Sequence, residues 1–145
     1  MRFMMIYKPA DTKDMEAGVP PTQDEMAKMG AFIGELAQSG VLLAADGLQA
    51  SSKGTRVRLS AGKLTVTDGP FAETKELIAG FWLWQVKSKE EAIEWVKRCP
   101  NPMEGDSEIE IRQVFEAEDF GAEFTPELRE QEERLREQIA RQQQP

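Results

Sequence analysis

Histidine is absent from this 145-residue chain. Its loss removes the commonest general base at neutral pH and the commonest transition-metal ligand together. Cysteine is almost absent as well. Cys99 alone cannot form an internal disulfide, and without histidine beside it the chain has no ligand set for zinc. No loop has the spacing of a calcium-binding motif, so neither a metal nor a cofactor is expected. No apolar run approaches the about 20 residues that cross a bilayer, and Met1 to Tyr7 reads as a strand rather than a leader. The expected compartment is therefore the cytoplasm, away from the membrane. Basic charge is also in deficit. With 18 Lys and Arg against 26 Asp and Glu the net charge is −8, and no basic stripe interleaves with aromatics, which argues against direct nucleic-acid binding.

What is present suits one domain and a tail. The length and a hydrophobic content of 40% are enough for a sizeable core without staples. Residues 116–145 hold nine of the acids and only four of the bases, so acidity concentrates there. The boundaries expected are a domain over 1–115 and an acidic linker with a C-terminal helix over 116–145.

Along the chain, Arg2 to Tyr7 reads as a central strand and Lys8 to Pro21 as a loop. Thr22 with Glu25 has capping-box spacing before Met26, Met29, Phe32, Ile33 and Leu36, which predicts a helix over 23–38 closed by Gly40. Val41 to Ala45 reads as a short strand. Gly54 to Leu59 and Lys63 to Thr67 flank Ser60-Ala61-Gly62 as a hairpin. Ala79 to Val86 is the strongest strand, with Phe81 and Leu83 on one side and Trp82, Trp84 and Val86 on the other. Ser88 with Glu91 starts a second helix that Pro100 and Pro102 end, and Glu108 to Phe115 alternates Ile109 and Ile111 with charged residues.

Without the hairpin this order is βαββαβ, so the fold class expected is α+β, a ferredoxin-like protomer with an inserted hairpin and an extra C-terminal helix. Two helices cover one face of the sheet. The other carries either Trp82 and Trp84 or Phe81 and Leu83, and one chain has no element left to bury them. A two-fold dimer with sheet against sheet meets that need, the dimeric α/β-barrel type of assembly. In the tail, Thr125-Pro126-Glu127 starts a helix with only Leu128, Leu135 and Ile139 as large apolar residues, and Phe115, Phe120 and Phe124 are expected to anchor it. A coiled coil is the bolder alternative.

The most informative stretch is Asp68-Gly69-Pro70-Phe71-Ala72-Glu73-Thr74-Lys75-Glu76, a turn with a Phe plug and crowded charges just before the strongest strand. That stretch, Gly80-Phe81, Arg98-Cys99-Pro100 and Glu108-Ile109-Glu110-Ile111-Arg112 together resemble the YCII-related proteins, in particular the DGPF-domain branch, over about residues 1–115. The resemblance implies a dimeric α+β barrel of ferredoxin-like protomers. Some relatives look like enzymes using a histidine and aspartate pair, which this chain cannot supply. Others stand beside extracytoplasmic-function sigma factors, which implies a regulatory protein partner.

Candidate site residues follow. Asp68 and Asp46 are candidate catalytic carboxylates, each set against a simpler turn-fixing role. Tyr7, Arg58, Lys75, Trp84 and Arg112 are candidate ligand-binding residues. Arg56, Arg58 and Arg112 either converge on an anion or pair with acids such as Glu108 and Glu110. Tyr7, Trp82 and Trp84 either line an aromatic pocket between two sheets or form dimer core. Glu73, Lys75 and Glu76 either wall the site or make a solvated helical turn. Cys99, at a helix C-terminus, is not expected to be a nucleophile. The reading is a homodimer that binds a small polar or aromatic molecule near the Asp68 turn, with or without cofactor-free catalysis. The alternative is a regulatory interaction protein.

Overall fold

The computed structural model describes residues 1–100 and 106–145, in two compact units, Met1–Gln113 and Val114–Pro145. Pro102, expected to end a helix, lies outside the described residues.

Capping places the two helices that cover the sheet. Thr22 accepts the backbone N–H of Glu25 while the Glu25 carboxylate accepts that of Thr22, which starts α2 (Gln23–Gln38). Gly40, at φ +77°, turns the chain out, and the Val41 N–H donates back to the Leu36 carbonyl. Ser88 caps α3 (Lys89–Val96) through the Glu91 N–H. A short helix, α1 (Lys13–Glu16), interrupts what reads from composition as plain loop.

Four strands form one antiparallel sheet: β1 (Arg2–Pro9), β2 (Leu42–Gly47), β5 (Gly80–Gln85) and β6 (Ser107–Gln113), in the order β2-β5-β1-β6. Between β2 and β5 the chain makes a separate ribbon, β3 (Thr55–Ser60) and β4 (Lys63–Asp68). Ala61 and Gly62 turn it with φ +50° and +75°, both positive as a two-residue primed turn requires. The protein is thus mixed α+β with antiparallel sheets, and no barrel closes among the described residues.

One face of the four-stranded sheet is fully covered. Phe3, Met5 and Tyr7 of β1 with Trp82 and Trp84 of β5 pack with Phe32 and Leu36 of α2 and Ala92 of α3, and Ile109 and Ile111 of β6 lie against them. Trp82 is 6% exposed and Trp84 0%. Both tryptophans and Tyr7 are thus core within one chain, neither the lining of a pocket between two sheets nor the core of a dimer. The reason is periodicity: β5 is apolar on both sides, so its sequence does not say which side the helices take, and the larger rings fill the deeper layer against Phe32. The buried Trp84 Nε1 has no hydrogen-bond partner among the described residues.

The other face carries Met4 and Ile6 of β1, Phe81 and Leu83 of β5 and Ala44 of β2, all half-buried. β1 alternates between buried and half-buried positions, so it is not shielded equally on its two sides.

The unit Val114–Pro145 begins with a 3-10 segment, Ala117–Glu123, and continues as α4 (Pro126–Gln142), capped by Thr125. Phe115 stacks on Phe120 at 5.0 Å between centroids, and Phe120 lies 5.6 Å from Phe124. Leu128, Leu135 and Ile139 of α4 are exposed.

Candidate functional site

The Asp68–Phe71 turn is held by the loop that follows β2. A Cβ on Gly69 would lie 1.7 Å from the Ser51 carbonyl oxygen, so only glycine lets the two backbones approach this closely. The Gly69 N–H donates to the Gly54 carbonyl at 2.9 Å, and the Gly69–Pro70 peptide is cis. The Phe71 N–H donates to Ser51 Oγ at 3.0 Å. Ser51 is itself clamped by the last residue of α1: its N–H donates to Glu16 Oε1 at 2.9 Å and its hydroxyl donates to Glu16 Oε2. One carboxylate thus anchors a loop 35 residues away, and that loop anchors the turn.

Arg56 of β3 completes the arrangement. Its guanidinium lies 3.9 Å from the Phe71 ring centroid and pairs with Glu76 at 2.8 Å. Stacking of this kind at an exposed site contributes about 0.5–1 kcal/mol. Glu76 sits on the 3-10 turn Thr74–Glu76. Between these parts opens a cleft of about 200 Å³ with apolar walls from Met15, Leu48, Phe71, Leu77 and Ile78 and polar groups from Glu16, Gln49, Ser51, Arg56 and Glu76. Small-molecule pockets commonly run from about 300 Å³ upward, so this is a small and open one.

The seven sequence-selected residues do not converge. Asp68 is exposed at the end of β4 and its Oδ1 accepts the Thr55 hydroxyl at 2.9 Å, a cross-strand bond rather than one to the backbone two residues on. Lys75 is exposed on the Thr74–Glu76 turn. Arg58 lies out on the ribbon opposite Thr65, and Asp46 is exposed on β2 opposite Phe81. Arg112 pairs with Glu110 at 3.3 Å and Arg56 with Glu76, so the three arginines make no common anion site. Tyr7 and Trp84 are buried beneath the helices. Asp68 and Lys75 alone belong to the segment that walls the cleft. Glu16, Gln49 and Ser51 escaped sequence reasoning. None stands in a periodic or motif context, and a short loop serine bonded across 35 residues leaves no local mark.

Electrostatic perturbation lies elsewhere. Glu110 is held below the usual carboxylate range by its hydrogen bonds from Lys8, 3.0 Å away, and Arg112. Burial pushes the Cys99 thiol up to about 11, which leaves it protonated and inert as a nucleophile at neutral pH. Burial also raises the Tyr7 phenol, against the opposing hydrogen bond with the Ser107 side chain.

Among the described residues no helix is long and apolar enough to cross a membrane. In sequence comparison, the family model for the YCII-related domain matches residues 1–118. An uncharacterized protein of Rhizobium meliloti (strain 1021) is 32% identical over 87 residues, covering 60% of this chain and 70% of that protein.

Proposed function

The chain belongs to the YCII-related family, and on that premise we propose that it is a DGPF-branch homodimer that binds a small polar or aromatic molecule in the cleft beside the Asp68–Phe71 turn. The observation that carries this reading is the Glu16–Ser51–Phe71 clamp, which spends three hydrogen bonds on shaping a cleft wall rather than the core. Apolar walls with a few fixed polar groups are what a small amphipathic ligand requires.

The strand order β2-β5-β1-β6 with its two helices supports a ferredoxin-like protomer. The half-buried Met4, Ile6, Phe81 and Leu83 support sheet-to-sheet packing of two copies into a barrel-type dimer. In this reading residues 1–115 form the family domain, 116–145 are an appendage, and the protein works in the cytoplasm. A cofactor-free reaction would use Asp68, at the rim of the turn, or Asp46 as its base, and Lys75 would meet an anionic group of the ligand. Tyr7, Trp84, Arg58 and Arg112 take no part in the cleft.

A second reading has its own observation. The compact unit Val114–Pro145 exposes Phe115, Phe120, Leu128, Leu135 and Ile139 on an acidic segment, a surface suited to a regulatory protein partner such as a sigma factor.

Native mass spectrometry of protein purified from its own cell separates the two. A bound small molecule that is retained on deleting residues 114–145 and lost in Arg56→Ala supports the cleft. A co-purifying protein that is lost on the deletion but not in Arg56→Ala, with no small molecule bound, contradicts it and favours the second reading.

A further inference from the structure

The partly buried carboxylates of this chain have their charge met, with one exception. Among the described residues Glu110 and Glu132 pair with Lys8 and Arg136, and Glu25, Glu91 and Glu116 stand at helical starts, where unpaired backbone N–H groups favour negative charge. Glu16 has neither. It is half-buried at the last position of α1, and no cation among the described residues pairs with it. Its two oxygens accept only the N–H and the hydroxyl of Ser51, both neutral donors. A charge drawn partly out of water without a counter-charge gains from a cation brought to it.

Glu16 also lines the cleft. Arg56, which supplies the cation of that lining, is paired with Glu76 at 2.8 Å, so the lining keeps one negative charge, that of Glu16. Hydrogen bonding points the same way. The hydroxyl and N–H of Ser51 are both spent on Glu16, whereas an ionised carboxylate has about four acceptor positions, of which Glu16 uses two. Lys75 is exposed on the neighbouring turn and takes no part in the lining, so an anionic group that it meets lies at the rim. Among the described residues no three carboxylates, histidines or cysteines gather to hold a metal ion, and the apolar walls suit a cation that carries its own apolar body.

We propose that the cleft takes a small aliphatic primary amine in its ammonium form, with its N–H groups on the unused acceptor positions of Glu16 and its carbon chain against Met15, Leu77 and Ile78. The inference rests on the ligand-binding cleft proposed above and names the chemical class of its ligand. A volume of about 200 Å³ sets the size, a short chain rather than a large ring system. Glu16 thus holds the wall through Ser51 and recognises the ligand with the same carboxylate.

The test is titration of the full chain, followed through the NMR signals of its backbone amides, with n-butylammonium, 1-butanol and butyrate as probes of equal chain length. The expected result is that n-butylammonium shifts the amides of Met15, Ser51, Leu77 and Ile78 and binds at least about tenfold more tightly than 1-butanol, with butyrate weaker still. Glu16→Gln is expected to weaken the amine by about tenfold or more and to leave 1-butanol unchanged, with the amide signals of β1 and β5 in place to show that the sheet is folded. Where that variant does not fold, the probe comparison in the unaltered chain decides. Binding of 1-butanol or butyrate in the cleft as tightly as the amine overturns the ammonium assignment and leaves the cleft standing. Amine shifts spread equally over exposed acids such as Asp46 and Glu108 overturn it in the same way. Silence of the cleft amides towards every probe overturns the assignment, and if the native mass spectrum also shows no retained small molecule, the cleft reading falls with it.

Discussion

A single methyl group at residue 69 would meet the Ser51 carbonyl oxygen at 1.7 Å, an approach that neither backbone relieves without moving the cleft wall. Gly69→Ala should therefore cost about 3 kcal/mol or more in urea unfolding. Gly30, in the exposed interior of α2 with open space around it, is the counter-case, and Gly30→Ala should stabilise by about 1 kcal/mol. Equal effects of the two substitutions would remove the close-approach argument. Ser51→Ala strips the hydroxyl from both the Glu16 and Phe71 bonds, with an expected loss of about 1–3 kcal/mol by the same measurement. Cys99 offers a chemical readout. Its thiol stays protonated up to about pH 11 in the fold, against an ordinary value of 9.0. The stability linked to it is complete below the ordinary value and disappears as pH rises through the raised one. At pH 8 a thiol-alkylating reagent should label it far more slowly in the native protein than in urea, and equal rates would contradict its burial.

At the scale of elements, the helices were the legible part. Thr22 with Glu25, Ser88 with Glu91 and Thr125 with Pro126 mark three starts, and in each the side-chain oxygen accepts the expected backbone N–H. Thr22→Ala should accordingly cost about 1 kcal/mol in thermal or urea unfolding. Sidedness was not legible in β5, since Phe81 and Leu83 are as apolar as Trp82 and Trp84 and period-two patterning carries no sign there. β6 was legible, because Ile109 and Ile111 alternate with charged residues and turn to the core. Its Glu110 also predicts a pH dependence. A carboxylate whose value is lowered by Lys8 and Arg112 contributes stability that is present above the ordinary carboxylate range and is lost as pH falls through the lowered value. In Glu110→Gln that portion of the acid limb of the stability curve should flatten. The cleft was illegible for a different reason: its wall joins α1, the loop after β2, the start of β3 and the Asp68 turn, so only the folded chain brings Glu16, Ser51, Arg56 and Phe71 together.

At the scale of the molecule, the four-stranded sheet has one face closed by α2 and α3 and another that presents Met4, Ile6, Phe81 and Leu83 half-buried. An apolar sheet face of this extent is stable in water when something covers it, and the inserted ribbon repeats the same condition with four more aliphatic side chains. In the proposed homodimer a second copy covers that sheet face. Light scattering coupled to size-exclusion chromatography tests this most directly. The predicted solution mass is twice the 16.3 kDa of the chain, and a mass of one chain across the whole concentration range would contradict the account.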